Sequence, residues 1–313
     1  MKCLPTKQFQ AMVPLLREKE FYVSEPQRKI HWPEYNEAQI REVTESLDFI
    51  REQVDCCAYL NIKGKVGRPL TDPKQLAKAI LISEAFDFKE RESQGWIKIL
   101  GPYVGIQKEI DDRVIGDAYN NPEVIFILKQ VFENSKTSDG KNSGDGTGLE
   151  TSRKQNYETN KKTSEYMTSI VDSREIVQAF DISGKQECQA MHELVEKVTG
   201  SSLRLDAGFV DRKLIEKIYY LGMKPFVFPK KSLKLNGTIA WKQMYLELYY
   251  DVMTWLTEYH QRSHAESFHS SFKRKNGILF KRRNACILSQ VIARIIIHNR
   301  SRLAYFNRIP TEA

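Results

Sequence analysis

No apolar run in this 313-residue chain approaches the roughly 20 residues that a membrane helix needs. The longest candidate, 291–298, is interrupted by Arg294, so a membrane-spanning protein is not expected. The amino terminus lacks a basic stretch followed by an apolar core and a small-residue cleavage site, so secretion is not expected and the cytoplasm is the expected location. Cysteine is scarce. The five present, Cys3, Cys56, Cys57, Cys188 and Cys286, are odd in number and show neither a C-x-x-C pair nor histidines at zinc-finger spacing. A disulfide scaffold and a zinc finger are therefore not expected, and the thiols are read as reduced and structural. Internal repeats and low-complexity tails are also missing, which argues against a solenoid.

Acidic residues run short in one place. From residue 257 onward the basic residues Arg262, Lys273, Arg274, Lys275, Lys281, Arg282, Arg283, Arg294, Arg300, Arg302 and Arg308 meet only Glu258, Glu266 and Glu312. This segment carries the chain's whole net charge of +8. Such a concentration suits a polyanion such as nucleic acid, the alternative being a solvated basic helix face. The remaining composition is globular, and the length suits two domains with a substantial core each.

The chain to about residue 138 reads as helical. Within 36–55, Ile40, Val43, Leu47, Ile50 and Val54 recur at three- and four-residue steps, the stripe of an amphipathic helix. A glycine- and proline-bearing turn is expected at 63–69, then a helix with Thr71 as cap and Pro73 in its first turn. Short helical patterns follow at 96–100, 111–119 and 122–132. Short helices in series are compatible with a helix-turn-helix reader of DNA and equally with a plain bundle. Residues 136–144 contain no apolar side chain and mark the expected boundary. Beyond it, 166–171 and 176–182 are β-prone runs around the polar turn 172–175, which reads as a hairpin. A helix is expected over 186–198, a strand at 203–206, a helix over 212–220 and a strand at 225–228. Helical patterns then run from 241 to about 275, as one helix or with a break, and from 284 to 305. This order predicts an α/β domain with a mixed sheet over 139–313, preceded by an all-helical domain over 1–138.

Three acids stand out by position. Asp145 opens Asp-Gly-Thr-Gly, where glycines let the backbone turn sharply or approach a ligand. Asp206 ends Ser-Leu-Arg-Leu-Asp, at the carboxyl end of a strand, where open α/β sheets bind ligands. Glu266 lies in a helical stretch. Clustering three carboxylates is costly without a cation between them, and such hard oxygen donors suit Mg²⁺ or Mn²⁺. Two such ions can activate an attacking hydroxyl and stabilise the leaving oxygen of a phosphodiester. On one helix, Tyr259, Arg262, Glu266 and Lys273 would share a face. Arg262 and Glu266 are then either a surface i, i+4 ion pair, or a metal ligand with a phosphate-binding neighbour.

The spacing Tyr259-x2-Arg262-x3-Glu266-x6-Lys273 resembles the Tyr-Arg-Glu-Lys signature of insertion-sequence DDE transposases of bacteria and archaea. Asp145-Gly-Thr-Gly and Asp206-Ala-Gly-Phe resemble the segments around that family's first and second aspartates. The resemblance covers about 140–305. It implies a ribonuclease-H-like catalytic domain in which Asp145, Asp206 and Glu266 are catalytic and hold two Mg²⁺ or Mn²⁺ ions. It also implies binding of terminal inverted repeats, cleavage at the element ends and joining of the 3′ ends to target DNA, by a homodimer associated with the nucleoid. A metal-dependent nuclease without strand transfer and an inert DNA-binding repressor are the alternatives. Lys141, Asn142, Ser143 and Gly144 make a poor strand core ahead of Asp145, so Asp181 and Asp172 are alternatives to it.

Further residues fill in the expected surface. Lys230 and Lys231, with the cluster Lys281, Arg282 and Arg283, are candidate phosphate contacts beside Tyr259, Arg262 and Lys273. His269, one turn past Glu266, is expected as a hydrogen-bonded surface histidine. His260 and His264 have the i, i+4 spacing of zinc ligands but lack the glutamate of His-Glu-x-x-His. Trp241 and Trp255 are expected in the core, the alternative being a platform for an unpaired base.

Overall fold

The computed structural model describes residues 5–21, 29–60, 71–154 and 158–310. Cys3 and the turn expected at 63–69 lie outside them. The chain divides into two units, one of residues 1–29, 137–148 and 165–271, the other of 30–136, 149–164 and 272–313. Helix α1 (Thr6–Leu15) belongs to the first and buries Phe9 and Val13 in its core, Phe9 meeting the Tyr245 ring edge-on at 5.6 Å.

The second unit contains α2 (Trp32–Ile40), α3 (Glu42–Asp55), α4 (Pro73–Ala85), α5 (Glu90–Leu100), α6 (Asp112–Ala118) and α7 (Pro122–Ser135). The single helix expected over 36–55 breaks at Arg41, whose φ of −90° and ψ of 0° leave the helical range. Only the later part of the apolar stripe is buried: Leu47, Ile50 and Val54 are in the core, whereas Ile40 at the end of α2 is 82% and Val43 in the first turn of α3 48% exposed. Helix α4 is capped by Asp72 and not Thr71, because the Asp72 carboxylate accepts the Lys74 amide at 2.9 Å with Pro73 following. Asp111 and Asn121 cap α6 and α7 in the same way.

Strands β1 (Lys141–Lys154), β2 (Lys162–Val171), β3 (Val177–Asp181), β4 (Ser202–Leu205) and β5 (Lys224–Val227) form one sheet in the order β3-β2-β1-β4-β5. It is mixed as expected: β4 runs parallel to β1 and β5, while β3 is antiparallel to β2. The hairpin turn forms around Asp172, which is fully buried and accepts from Arg174 and the Ile176 amide. Strand β1 starts inside the stretch expected as a boundary. Two of its buried polar side chains donate to distant carbonyls, Asn142 to Thr199 at 3.1 Å and Ser143 to Gln261 at 3.2 Å, while Asn142 Oδ1 is left without a partner.

Helices α8 (Glu187–Leu194), α9 (Arg212–Tyr220), α10 (Ile239–Tyr250) and α11 (Val252–His260) complete the first unit. Their apolar faces and the sheet share one core that includes Met191, Leu205, Ile215, Trp241 and Trp255, so both tryptophans pack internally. Helix α12 (Ser263–Asn276) is divided between the units, and α13 (Asn284–Phe306) lies in the second. The arginine that interrupts its apolar run, Arg294, is buried and pairs with buried Glu84 at 2.6 Å. Among the described residues no helix is long and apolar enough to cross a membrane.

Candidate active site

The register of β1 and β4 decides where two acids fall. Gly144 pairs with Leu205, so Asp145 and Asp206 are the next residues on neighbouring parallel strands. The two-residue period of a strand puts them on the face that carries Ser143 and Arg204. That face meets the segment from the end of α11 into α12. Arg204 Nε donates to the Glu258 carbonyl at 2.6 Å and its guanidinium pairs with the Glu258 carboxylate at 2.7 Å. Ser143 donates to the Gln261 carbonyl, and His269 Nε2 lies 2.9 Å from Ser169 Oγ. Polar groups of β4, β1 and β2 thus hold the segment that carries Glu266. His269 is buried, not a surface residue.

Arg262 occupies the turn between α11 and α12. Its guanidinium lies 2.5 Å from Glu266 Oε1 and 3.9 Å from Asp145 Oδ2. Burial alone would lower its pKa; Tyr259, Glu266, Asp206 and Asp145 outweigh burial and raise it. One cation therefore senses all three candidate acids. Asp145 is pushed up to about 6, chiefly by burial, with Glu187 and Glu266 adding to the rise against a Gly146 hydrogen bond and Arg262. His269 Nδ1 is 3.8 Å from Asp145 Oδ2.

Tyr259, Arg262 and Glu266 do not share one helix face, because α11 ends at His260 and α12 starts at Ser263. Tyr259 is buried instead, stacked on Trp255 with centroids 5.4 Å apart and hydrogen-bonded to Arg262. Burial pushes its phenol up to about 12. Lys230 and Lys231 are exposed beyond β5 in the first unit. Lys273, Arg282 and Arg283 are exposed in the second, whereas Lys281 pairs with Glu90 and lies 3.7 Å over the Tyr119 ring. The alternatives to Asp145 have local tasks, Asp172 in the hairpin and Asp181 in accepting from Ser183 at 2.8 Å.

Sequence reasoning missed two neighbours of Asp145. A Cβ at Gly146 would stand 2.3 Å from both Glu187 Oε1 and Tyr166 Oη, so glycine is what lets that acid and that phenol approach β1. Burial, then Glu187, push Tyr166 up to about 12. The only sequence signal was the glycine after Asp145; nothing pointed to Glu187. Arg204 was legible as a charge inside an apolar strand and was passed over.

The candidate acids fit a divalent cation by their chemistry. All three offer hard oxygens, and Asp145 is already penalised as an anion by burial and two neighbouring acids. Arg262 supplies the positive charge among them, and their oxygens do not close within 4.8 Å of one another. A helical region followed by a five-stranded mixed sheet, with carboxylates directly after a registered pair on neighbouring parallel strands, is the plan of a ribonuclease-H-like, metal-dependent phosphoryl transferase. The family model described as transposase DDE domain matches residues 143–299, half of the chain. The chain belongs to this family and is a DDE transposase, a class that uses divalent metal ions and acts on DNA. Comparison with curated proteins and with solved structures finds no match.

Proposed function

We propose that Asp145, Asp206 and Glu266 hold two Mg²⁺ or Mn²⁺ ions and that the chain cuts DNA at the terminal inverted repeats of an insertion sequence and joins the 3′ ends to a target. What carries this reading is the position of Arg262, which senses all three acids at once and touches two of them. The ions, when bound, supply activation of the attacking hydroxyl and neutralise charge on the leaving oxygen. The protein's own groups do the positioning. Tyr259 orients Arg262, which with Glu266 engaged in holding a cation would be free to face a backbone phosphate next to the cut. Lys273, Arg282, Arg283, Lys230 and Lys231 contact phosphates further along, and Lys281 joins them if its pair with Glu90 opens. The spacing of Tyr259, Arg262, Glu266 and Lys273 supports the insertion-sequence subfamily. DNA reading belongs to the helical region within 1–138, catalysis to 139–313, and a homodimer in the cytoplasm holds the two element ends.

The test is cleavage of supercoiled plasmid carrying the flanking repeats, with Mg²⁺, Mn²⁺ or EDTA. Wild type is expected to cut at the repeat ends only with metal, while Glu266→Ala binds the repeats and leaves them intact. A pre-nicked end then distinguishes strand transfer from hydrolysis alone. Cleavage by Glu266→Ala near the wild-type rate would remove that residue from the site.

A further inference from the structure

Cys188, His192 and Asp211 bring a thiol, an imidazole and a carboxylate together, with one donor atom of each within 4.8 Å of the other two. Cys188 and His192 stand one turn apart on α8, so both project from one face. Asp211 caps α9: its Oδ1 accepts the Lys213 amide at 3.0 Å, while Oδ2 lies 2.7 Å from His192 Nε2. Lys217 donates to the His192 carbonyl at 2.6 Å, which ties α9 to α8. All three side chains are partly buried, and none has a part in the phosphoryl-transfer site. A hydrogen-bonded histidine–aspartate pair accounts for two of the atoms and leaves the convergence of the sulfur unexplained.

We propose that Cys188, His192 and Asp211 form a zinc site separate from the three acids. Sulfur, ring nitrogen and one carboxylate oxygen are a donor set of Zn²⁺, with water as the fourth ligand; Mg²⁺ prefers an octahedron of oxygens and does not select a thiolate. Binding is ligand exchange with no redox change. The Cys188 thiol releases its proton to solvent as the sulfur–zinc bond forms; the His192 ring proton, held on Nε2 by the Asp211 carboxylate, moves to Nδ1 through solvent, and the freed Nε2 lone pair goes to the metal in place of the hydrogen bond to Asp211. Tetrahedral bonds of about 2.0–2.3 Å put neighbouring donors about 3.3–3.7 Å apart, so the histidine–aspartate contact opens by under about 1 Å. The metal would pin the start of α8 to the start of α9. Cys188 adjoins Glu187, which acts on Asp145, and Asp211 follows Asp206 by five residues, so a metal here would steady the segments next to both acids.

The experiment titrates Co²⁺ into the full-length protein carrying Asp206→Ala and Glu266→Ala, which removes two of the three competing acids. One equivalent per chain is expected to give a thiolate-to-cobalt charge-transfer band that Zn²⁺ then displaces. Cys188→Ser is expected to abolish the band, and His192→Gln to weaken binding at least about tenfold. Asp211→Asn, which still caps α9, is expected to do the same, so loss of metal is separated from loss of fold. Absence of the band in folded protein, or a band that survives Cys188→Ser, overturns the proposal.

Discussion

Asp145 retains its proton to about pH 6 where an unperturbed aspartate releases it near 3.8, because burial penalises the anion before any cation arrives. The folded state therefore binds this proton more tightly than the unfolded chain does. Stability from this group is fully present below about pH 4 and is lost as pH rises through about 6. The rise from 3.8 to about 6 corresponds to about 2–3 kcal/mol, and the side chain is only 21% exposed, so little of this is screened away. In EDTA, Asp145→Asn is expected to be more stable than wild type by about that amount at pH 8 and nearly equal to it at pH 4. Urea unfolding at the two pH values measures this. Equal stability at pH 8 would mean that the carboxylate is well solvated or already balanced by Arg262.

Between elements, the decisive contacts are polar and distant in sequence. Arg204 projects from β4 to the Glu258 carbonyl and carboxylate and to the Asn142 carbonyl at 3.3 Å, holding the end of α11 over the strand ends. Arg204→Met keeps the bulk and removes these bonds. It is expected to cost about 2 kcal/mol in urea unfolding, Glu258 being half in solvent, and to reduce cleavage further because Glu266 loses its support. Arg204→Lys is expected to recover little, since an ammonium cannot reproduce the planar fork. Unchanged cleavage in a destabilised Arg204→Met would confine the arginine to a structural role. The same distances explain what could be read in advance. Helix α9 and strands β4 and β5 fall within a residue or so of their expected places because their apolar periodicity is local. The start of β1 was hidden because Asn142 and Ser143 are buried against Thr199 and Gln261, partners that no local pattern names. A break within 241–275 was open from the sequence, but its place between α11 and α12 was not legible, because His260-Gln261-Arg262 contains neither glycine nor proline to mark it. Asp145 was legible as an acid ahead of two glycines, Asp206 as an acid ending a strand and Glu266 as an acid on a helix, but Glu187 was not, since only folding brings it to Gly146.

Over the whole chain, the basic excess after residue 257 is not all available to DNA. Lys275 pairs with Glu42, Lys281 with Glu90, Arg294 with Glu84, and both Arg300 and Arg308 with Glu45, all within the second unit. Much of the sequence asymmetry is thus internal compensation between the helical region and the last helices. Lys273, Arg274, Arg282 and Arg283 are exposed and, among the described residues, have no acidic partner. These differ measurably in a salt titration of DNA binding, where each phosphate contact contributes about 0.9 to the slope of log K against log salt. Removing Arg282 and Arg283 together, each to Ala, is expected to reduce the slope by about 2. Lys281→Gln is expected to leave it nearly unchanged, because a cation already paired with Glu90 and seated on Tyr119 displaces no further counterions on binding. A drop of about 1 for Lys281→Gln would instead mean that DNA opens this pair and recruits the lysine, which would make Glu90 a competitor for the same cation. In that event Glu90→Gln would strengthen binding while leaving the slope at the value that Lys281, Arg282 and Arg283 already set together.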